Sequence, residues 1–258
     1  MNQGVVVDIG NTRMKWGRVI DGRIADVEAL DPRDTTDWFM QVLEWELPKG
    51  TRWVLASVHP QATASLVTWL GEESHSVMLL DSHRQIPLAL DVDEPESVGL
   101  DRLLACAAAK ALAPRSLGGL TPTARENGPG PFLVVQAGTA LVVNLVNADG
   151  AFAGGAILPG LSLMAKSLRE HTGLLPEVIV REPVESTPGR TTEAAIRTGI
   201  YWAAIGAIRT LRERFGGGLP LYLTGGDAEV LLPAIAEPVF HHPNLVLEGI
   251  RLSAEAWP

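Results

Sequence analysis

The 258-residue chain has a single cysteine, Cys106. That excludes an intrachain disulfide framework and any cysteine-rich metal centre. Cys106 sits in the run LLACAAAKAL, where a small buried helical side chain is the simpler reading. No apolar run reaches the length of about 20 residues needed to cross a bilayer. The opening MNQGVVVDIG carries neither a basic region nor an apolar stretch of signal length. These absences predict a cytoplasmic protein with no membrane partner. Positive charge is scarce too: 21 Lys and Arg face 30 Asp and Glu, a net charge of −9. That argues against nucleic acid as a main partner, although backbone N–H groups and a few cations can still hold a phosphate ligand. The histidines, at 59, 75, 83, 171, 241 and 242, have no ligand spacing, and there is no HExxH or Walker A sequence. Catalytic zinc is not expected.

What is present is a duplication. Residues 5–22 read VVVDIGNTRMKWGRVIDG and residues 133–150 read LVVQAGTALVVNLVNADG. At a constant offset of 128, Asp8 matches Gln136, Gly10 matches Gly138, and Asp21-Gly22 matches Asp149-Gly150. Each copy predicts an apolar strand, a glycine-containing tight turn, a second apolar strand and a hairpin-type Asp-Gly turn. A duplicated strand–turn–strand predicts two similar domains facing each other across a cleft, with turn glycines that let backbone N–H groups approach a phosphate.

The remaining periodicities predict a meander over residues 1–30 and helices over 34–47, 61–70, 100–113, 161–169, 192–215 and 229–236. Strands are predicted over 52–57, 76–80, 132–135 and 219–223. The stretch LGGLTPTARENGPGP is rich in Gly and Pro without periodicity. It sets the expected boundary: a domain over 1–117, a linker over 118–131 and a domain over 132–258. Alternating strands and helices in both halves make the fold class α/β.

Four constellations could carry chemistry. Asp8 ends a strand where the chain turns, and such an acid can hold Mg²⁺ against nucleotide phosphates. Gly10, Asn11 and Thr12 add donors and Lys15 a cation; the plainer alternative is a turn whose Asp and Asn bond their own backbone. Gly138 and Thr139 form the matching turn of the second copy, where Thr139 can donate to a phosphate. Gly99, Leu100, Asp101 and Arg102 open a helix, with an acid placed as a general base beside a cation; Asp101 also reads as an ordinary N-cap or first-turn residue. In the fourth, Thr224-Gly225-Gly226-Asp227, two glycines would let a base or ribose lie on the backbone, or the stretch is a plain strand–helix connection capped by Asp227. Residues 154–160, GGAILPG, read as a loop of close backbone approach before a helix.

Together these segments resemble the type III pantothenate kinases, the CoaX-like branch of the acetate kinase/sugar kinase/Hsp70/actin superfamily. DIGNT and QAGTA resemble its two phosphate motifs and GLDR its substrate-binding signature. GGAILPG, TTEAAIRTG, LTGGDA and HPNLVLEGI resemble its later landmarks, in order along nearly the whole chain. The resemblance implies two RNase H-like (actin-like ATPase) domains with ATP in the cleft between them, transfer of the γ-phosphoryl group to pantothenate, and a homodimer. It implies ATP and Mg²⁺ contacts from Asp8, Ile9, Gly10, Asn11, Thr12, Arg13, Met14 and Lys15, with Gly138 and Thr139 also on ATP. Gly99, Leu100, Asp101 and Arg102 would contact pantothenate, Asp101 as proton acceptor, and Thr192 would reach it from the partner subunit.

The chain also departs from the family. Where the second phosphate motif usually reads DAGTATTID, this chain has QAGTALVVN, with Gln136 and Asn144 in place of two acids. The first of those acids binds the monovalent cation, K⁺ or NH₄⁺, that the resemblance implies. Val92 stands where the family often has a tyrosine near pantothenate. Three readings stay open at Gln136: no cation, a weakly held one, or a chain impaired or repurposed as a non-catalytic, regulatory relative like the Bvg accessory factors. A kinase for another small hydroxylated substrate is the remaining alternative.

Overall fold

The computed structural model describes residues 1–116 and 130–257. The valine run at positions 5–7 with Ile9 favours extended backbone buried on both faces, and it forms β1 (Gln3–Ile9). β1 pairs antiparallel with β2 (Met14–Ile20), which pairs antiparallel with β3 (Arg23–Leu30). Asp21 and Gly22 join β2 to β3 with φ of 50° and 72°. Two left-handed residues give the turn whose twist matches the strands. Helix α1 (Thr35–Glu44) is capped by Asp34, whose carboxylate accepts from the backbone N–H groups of Thr36 and Asp37. β4 (Arg52–Ser57), α2 (Pro60–Glu72) and β5 (Ser76–Leu80) follow, with β4 parallel to both β1 and β5. The sheet order is β3-β2-β1-β4-β5. Its alternating side chains bury Val5, Val7, Ile9, Trp16 and Trp53 against Trp38 of α1 and Leu66 and Leu70 of α2. Trp16 packs edge-on to Trp53 with ring centroids 4.7 Å apart.

The second sheet repeats this plan. β7 (Phe132–Ala137), β8 (Ala140–Val146) and β9 (Ala151–Pro159) form the antiparallel meander. β10 (Leu221–Thr224) and β11 (Val239–His241) run parallel beside β7. The order is β11-β10-β7-β8-β9, with the short β6 (Ala89–Leu90) added at the β9 edge. Helix α4 (Leu161–His171), the long α5 (Thr192–Gly216) and the short α6 (Ala228–Leu231) belong to the same unit; Leu161, Ile196, Ile200, Ile205 and Ile208 share a core with Leu133, Val135 and Val143 of the sheet. Both sheets thus have the RNase H-like arrangement that the family resemblance implies.

Two compact units result: Met1–Ala89, Asp93–Ala111 and Leu245–Pro258 make one, Leu90–Val92 and Leu112–Asn244 the other. The expected division into 1–117 and 132–258 is simpler than this. The segment 245–258, placed with the second domain on sequence, contains α7 (Leu245–Ala256), which packs on the first sheet. Leu247 lies over Gly17 of β2, and Gly249 lets α7 approach the backbone of Leu104, where a Cβ would sit 2.2 Å from the carbonyl oxygen. Leu104 belongs to α3 (Leu100–Ser116). Residues 118–129 of the expected linker lie outside the described residues.

Other differences are local. Residues 154–160, expected as a loop, lie almost wholly in β9, where Gly155 crosses the backbone of Val143 so closely that a Cβ would meet its carbonyl oxygen at 2.2 Å. The second Asp-Gly turn is built differently from the first: only Gly150 is left-handed, at φ 73°, and Asn147 Oδ1 accepts from the N–H groups of Asp149 and Ala151 at 3.1 and 3.0 Å. The helix expected over 229–236 is cut to four residues followed by a 3-10 turn, because Pro233 has no N–H to continue it.

Candidate active site

The constant offset of the two copies holds on the first strand and fails on the second. Ile9 pairs with Met14, leaving four residues in the first turn, whereas Ala137 pairs with Leu141. The second turn is one residue shorter, so Lys15 lies opposite Asp8 while Val142 lies opposite Gln136. The first turn therefore pairs an acid with a cation; the second pairs an amide with an apolar residue.

In the first unit, Asp8 is partly buried near the end of β1. Its carboxyl is raised from the usual range to about 7, mainly by burial, then by the nearby Asp101 carboxylate, with Lys15 opposing both. The adjoining turn is closed by the Gly10 N–H donating to Arg13 O at 3.1 Å, and it exposes Asn11, Thr12 and Arg13. Ile9 and Met14 send their side chains into the tryptophan-lined core, so only their backbone faces this turn. The end of β4 supports the same turn: the Val58 N–H donates to Ile9 O at 3.1 Å, and Ser57 Oγ accepts from Thr63 Oγ1 at 2.6 Å.

Asp101 lies in the first turn of α3. Burial raises its carboxyl, while hydrogen bonds from the backbone N–H of Arg102 and its own N–H, with the Arg102 charge, pull the other way. Gly99 lies close beside it: a Cβ there would sit 2.7 Å from Asp101 Oδ1, so the carboxylate would have to shift. Asp101 thus serves N–H groups of the helix's first turn and also lies close enough to Asp8 to perturb it, which joins the first-turn reading to the chemical one. The preceding loop is tied down by His83 Nδ1 and Glu96 Oε2 at 3.0 Å. Cys106 is buried next to this group, and burial pushes its thiol well above the ordinary range, leaving it inert.

In the second unit, the Gly138 N–H donates to Ala140 O at 3.0 Å and Thr139 is exposed. Two glycines outside the turn hold it. The Gly160 N–H donates to Thr139 O at 3.0 Å, and a Cβ on Gly160 would lie 1.9 Å from Gly138 O. Gly225, at φ 103°, presses on Ala137, and the Asp227 N–H donates to Ala137 O at 3.0 Å. The Asp227 carboxyl makes no capping bond to α6 and is raised by burial. Gly160 as a clamp was not legible in the sequence, where GGAILPG gave only close backbone approach. Thr192 is exposed on the first turn of α5, capped by Thr191, which accepts from the Ala194 N–H at 3.2 Å. Val92 lies 3.9 Å from where a Cβ of Gly154 would stand.

Residues 4–214 match the family described as type III pantothenate kinase. The chain belongs to the type III pantothenate kinase family. Pantothenate kinases from Synechococcus sp. (strain JA-2-3B'a(2-13)) and Thiobacillus denitrificans are 35% and 32% identical to it, over 94% and 98% of this chain and 85% and 96% of theirs. Among solved structures, a Campylobacter jejuni protein described as a Baf family transcriptional activator superposes with a TM-score of 0.64 at 17% identity, covering 98% of each chain. Component A of (R)-2-hydroxyglutaryl-CoA dehydratase from Acidaminococcus fermentans gives 0.52 at 15% identity, covering 98% of this chain and 96% of its own. At these identities the structural likeness establishes the fold alone. The stretch matched to the pantothenate kinase family takes in both glycine turns, residues 99–102 and Thr192.

Proposed function

We propose that this chain phosphorylates pantothenate with ATP, forming 4′-phosphopantothenate, the first step of coenzyme A synthesis. Family membership supports the reaction. The observation that carries the site is the convergence, within the first unit, of two desolvated carboxylates, Asp8 and Asp101, with Lys15 and Arg102 beside them.

Asp101 is the general base. It accepts the proton of the substrate hydroxyl as that oxygen bonds to the γ-phosphorus and the bond to the bridging oxygen breaks, releasing ADP. Burial keeps its carboxyl more basic than in water, which suits that task. Gly99 and Leu100 shape the helix start on which pantothenate rests, and Arg102 supplies a fixed cation. Residues of the first turn, from Gly10 to Arg13, offer N–H and side-chain donors to ATP phosphates, as do Gly138 and Thr139 in the second unit. Phosphoryl transfer asks for positioning and neutralised charge rather than covalent participation, and these residues supply both.

Asp8 fits a divalent ion. A partly buried carboxylate raised to about 7 by burial and a second acid is one that an added cation would return to full ionisation. Mg²⁺ held there would neutralise phosphate charge; Lys15, opposite Asp8, would share that role. We place the reaction in the cytoplasm and in a homodimer in which Thr192 reaches the partner's pantothenate. The described residues contain no helix long and apolar enough to cross a membrane. The test is ATP-dependent conversion of pantothenate by the purified protein with Mg²⁺, read as ADP release and product mass. Bound ATP without turnover would refute the reading.

A further inference from the structure

The resemblance implies a monovalent cation at the second turn, and the side chains there do not fit one. Gln136 on β7 and Asn144 on β8 lie on the same face of the sheet as diagonal neighbours, since Gln136 pairs with Val142 and Asn144 with Val134. Asn144 is fully buried, and its Nδ2 donates to Gln136 Oε1 at 3.1 Å. Two carboxylates in these places would set like charges against each other, one of them away from water, and would call for a proton or a cation between them. Two amides carry no charge. The donor of one meets the acceptor of the other, and a hydrogen-bonded neutral pair stands in a sheet without any counter-ion. The Gln136 oxygen spends one of its two lone pairs on the Asn144 N–H and brings no full charge to a cation.

We infer that this chain has dispensed with the monovalent cation, and that the hydrogen bond from Asn144 to Gln136 holds the second turn in its stead. The inference rests on the pantothenate kinase reading for its setting, and its test does not depend on turnover. Thermal melts of the full chain are recorded at constant ionic strength in choline, sodium, potassium and ammonium chloride, beside initial rates in the same salts. The wild type melts at one temperature in all four, with rates within about twofold. The double variant Gln136→Asp/Asn144→Asp restores two acids: its melting temperature falls in choline and rises by about 2 °C or more in K⁺ or NH₄⁺, as linkage to a bound ion requires. Gln136→Asp alone, at a partly exposed position, gives the same direction if the pair fails to fold. A saturable rise of the wild-type melting temperature in K⁺ but not in choline overturns the inference. Loss of that rise in Asp227→Asn would then identify the anion of the site. Acid variants indifferent to K⁺ overturn it as well. If no salt supports turnover but the melts behave as stated, the functional reading fails and this inference stands.

Discussion

Replacing Asp101 with Asn separates the chemistry from the structure at one position. Asn keeps an acceptor oxygen for the Arg102 N–H, so the first turn of α3 should stay formed. What is lost is the base. General-base catalysis is worth about 10²–10⁴-fold, or ~3–5 kcal/mol of barrier, so kcat should fall by that factor, with little change in nucleotide affinity near pH 8. The wild-type rate rises with pH as Asp101 ionises, through a pKa above the ordinary carboxylate range; the variant loses that limb. A second effect follows from the neighbour. Asp101 is the second-largest cause of the raised Asp8 carboxyl, so neutralising position 101 lowers Asp8 from about 7. Calorimetric titration of ADP with Mg²⁺ at pH 6 should therefore show tighter binding in Asp101→Asn than in the wild type, with the two converging near pH 8. A variant that turns over at the wild-type rate refutes Asp101 as the base. Equal affinities at pH 6 refute the coupling between the two carboxylates.

Other outcomes follow from single positions. Asp8→Asn should stabilise the ligand-free protein by about 1–2 kcal/mol at pH 8, since a carboxyl raised in the folded state gives stability that is complete below about pH 4 and lost as pH climbs through about 7; denaturation curves at pH 4 and pH 8 check the sign, and activity should vanish. Arg212 is buried, with its guanidinium donating to the carbonyl oxygens of Leu219, Ala236 and Pro238. Arg212→Met should cost about 3–5 kcal/mol by stranding those acceptors, seen as early unfolding of the second unit through the fluorescence of Trp202. Gly160→Ala forces a methyl group into Gly138 O, so ATP affinity should drop with pantothenate affinity unchanged, measured by separate titrations.

The duplication was legible because an offset of 128 keeps β1 and β7 in step, and a strand's alternation shows in Val5, Val7 and Ile9 as in Leu133, Val135 and Ala137. The one-residue difference between the turns was not legible, since a turn's length is set by which residues pair across it. Asp8 and Asp101 could each be singled out as acids at element ends, but their mutual effect arises from packing between segments far apart in sequence. The return of α7 was hidden for the same reason: its apolar face is plain in Leu245, Leu247 and Ile250, while its partner is not local. Gly160 was hidden because it follows β9, whose paired glycines 154 and 155 make the stretch read as a loop.

That returning helix has a consequence for biosynthesis. The first sheet leaves the ribosome with Gly17 and the Leu104 backbone uncovered, and the residues that cover them, Leu247 and Gly249, are made only after the whole second unit. The later-made unit can therefore reach its native state first, and the earlier one must wait with apolar surface open to chaperones and proteases. A nonsense mutation or ribosomal stall just before position 245 would spare the domain being synthesised and strand the one made long before, the reverse of what the position of the lesion suggests.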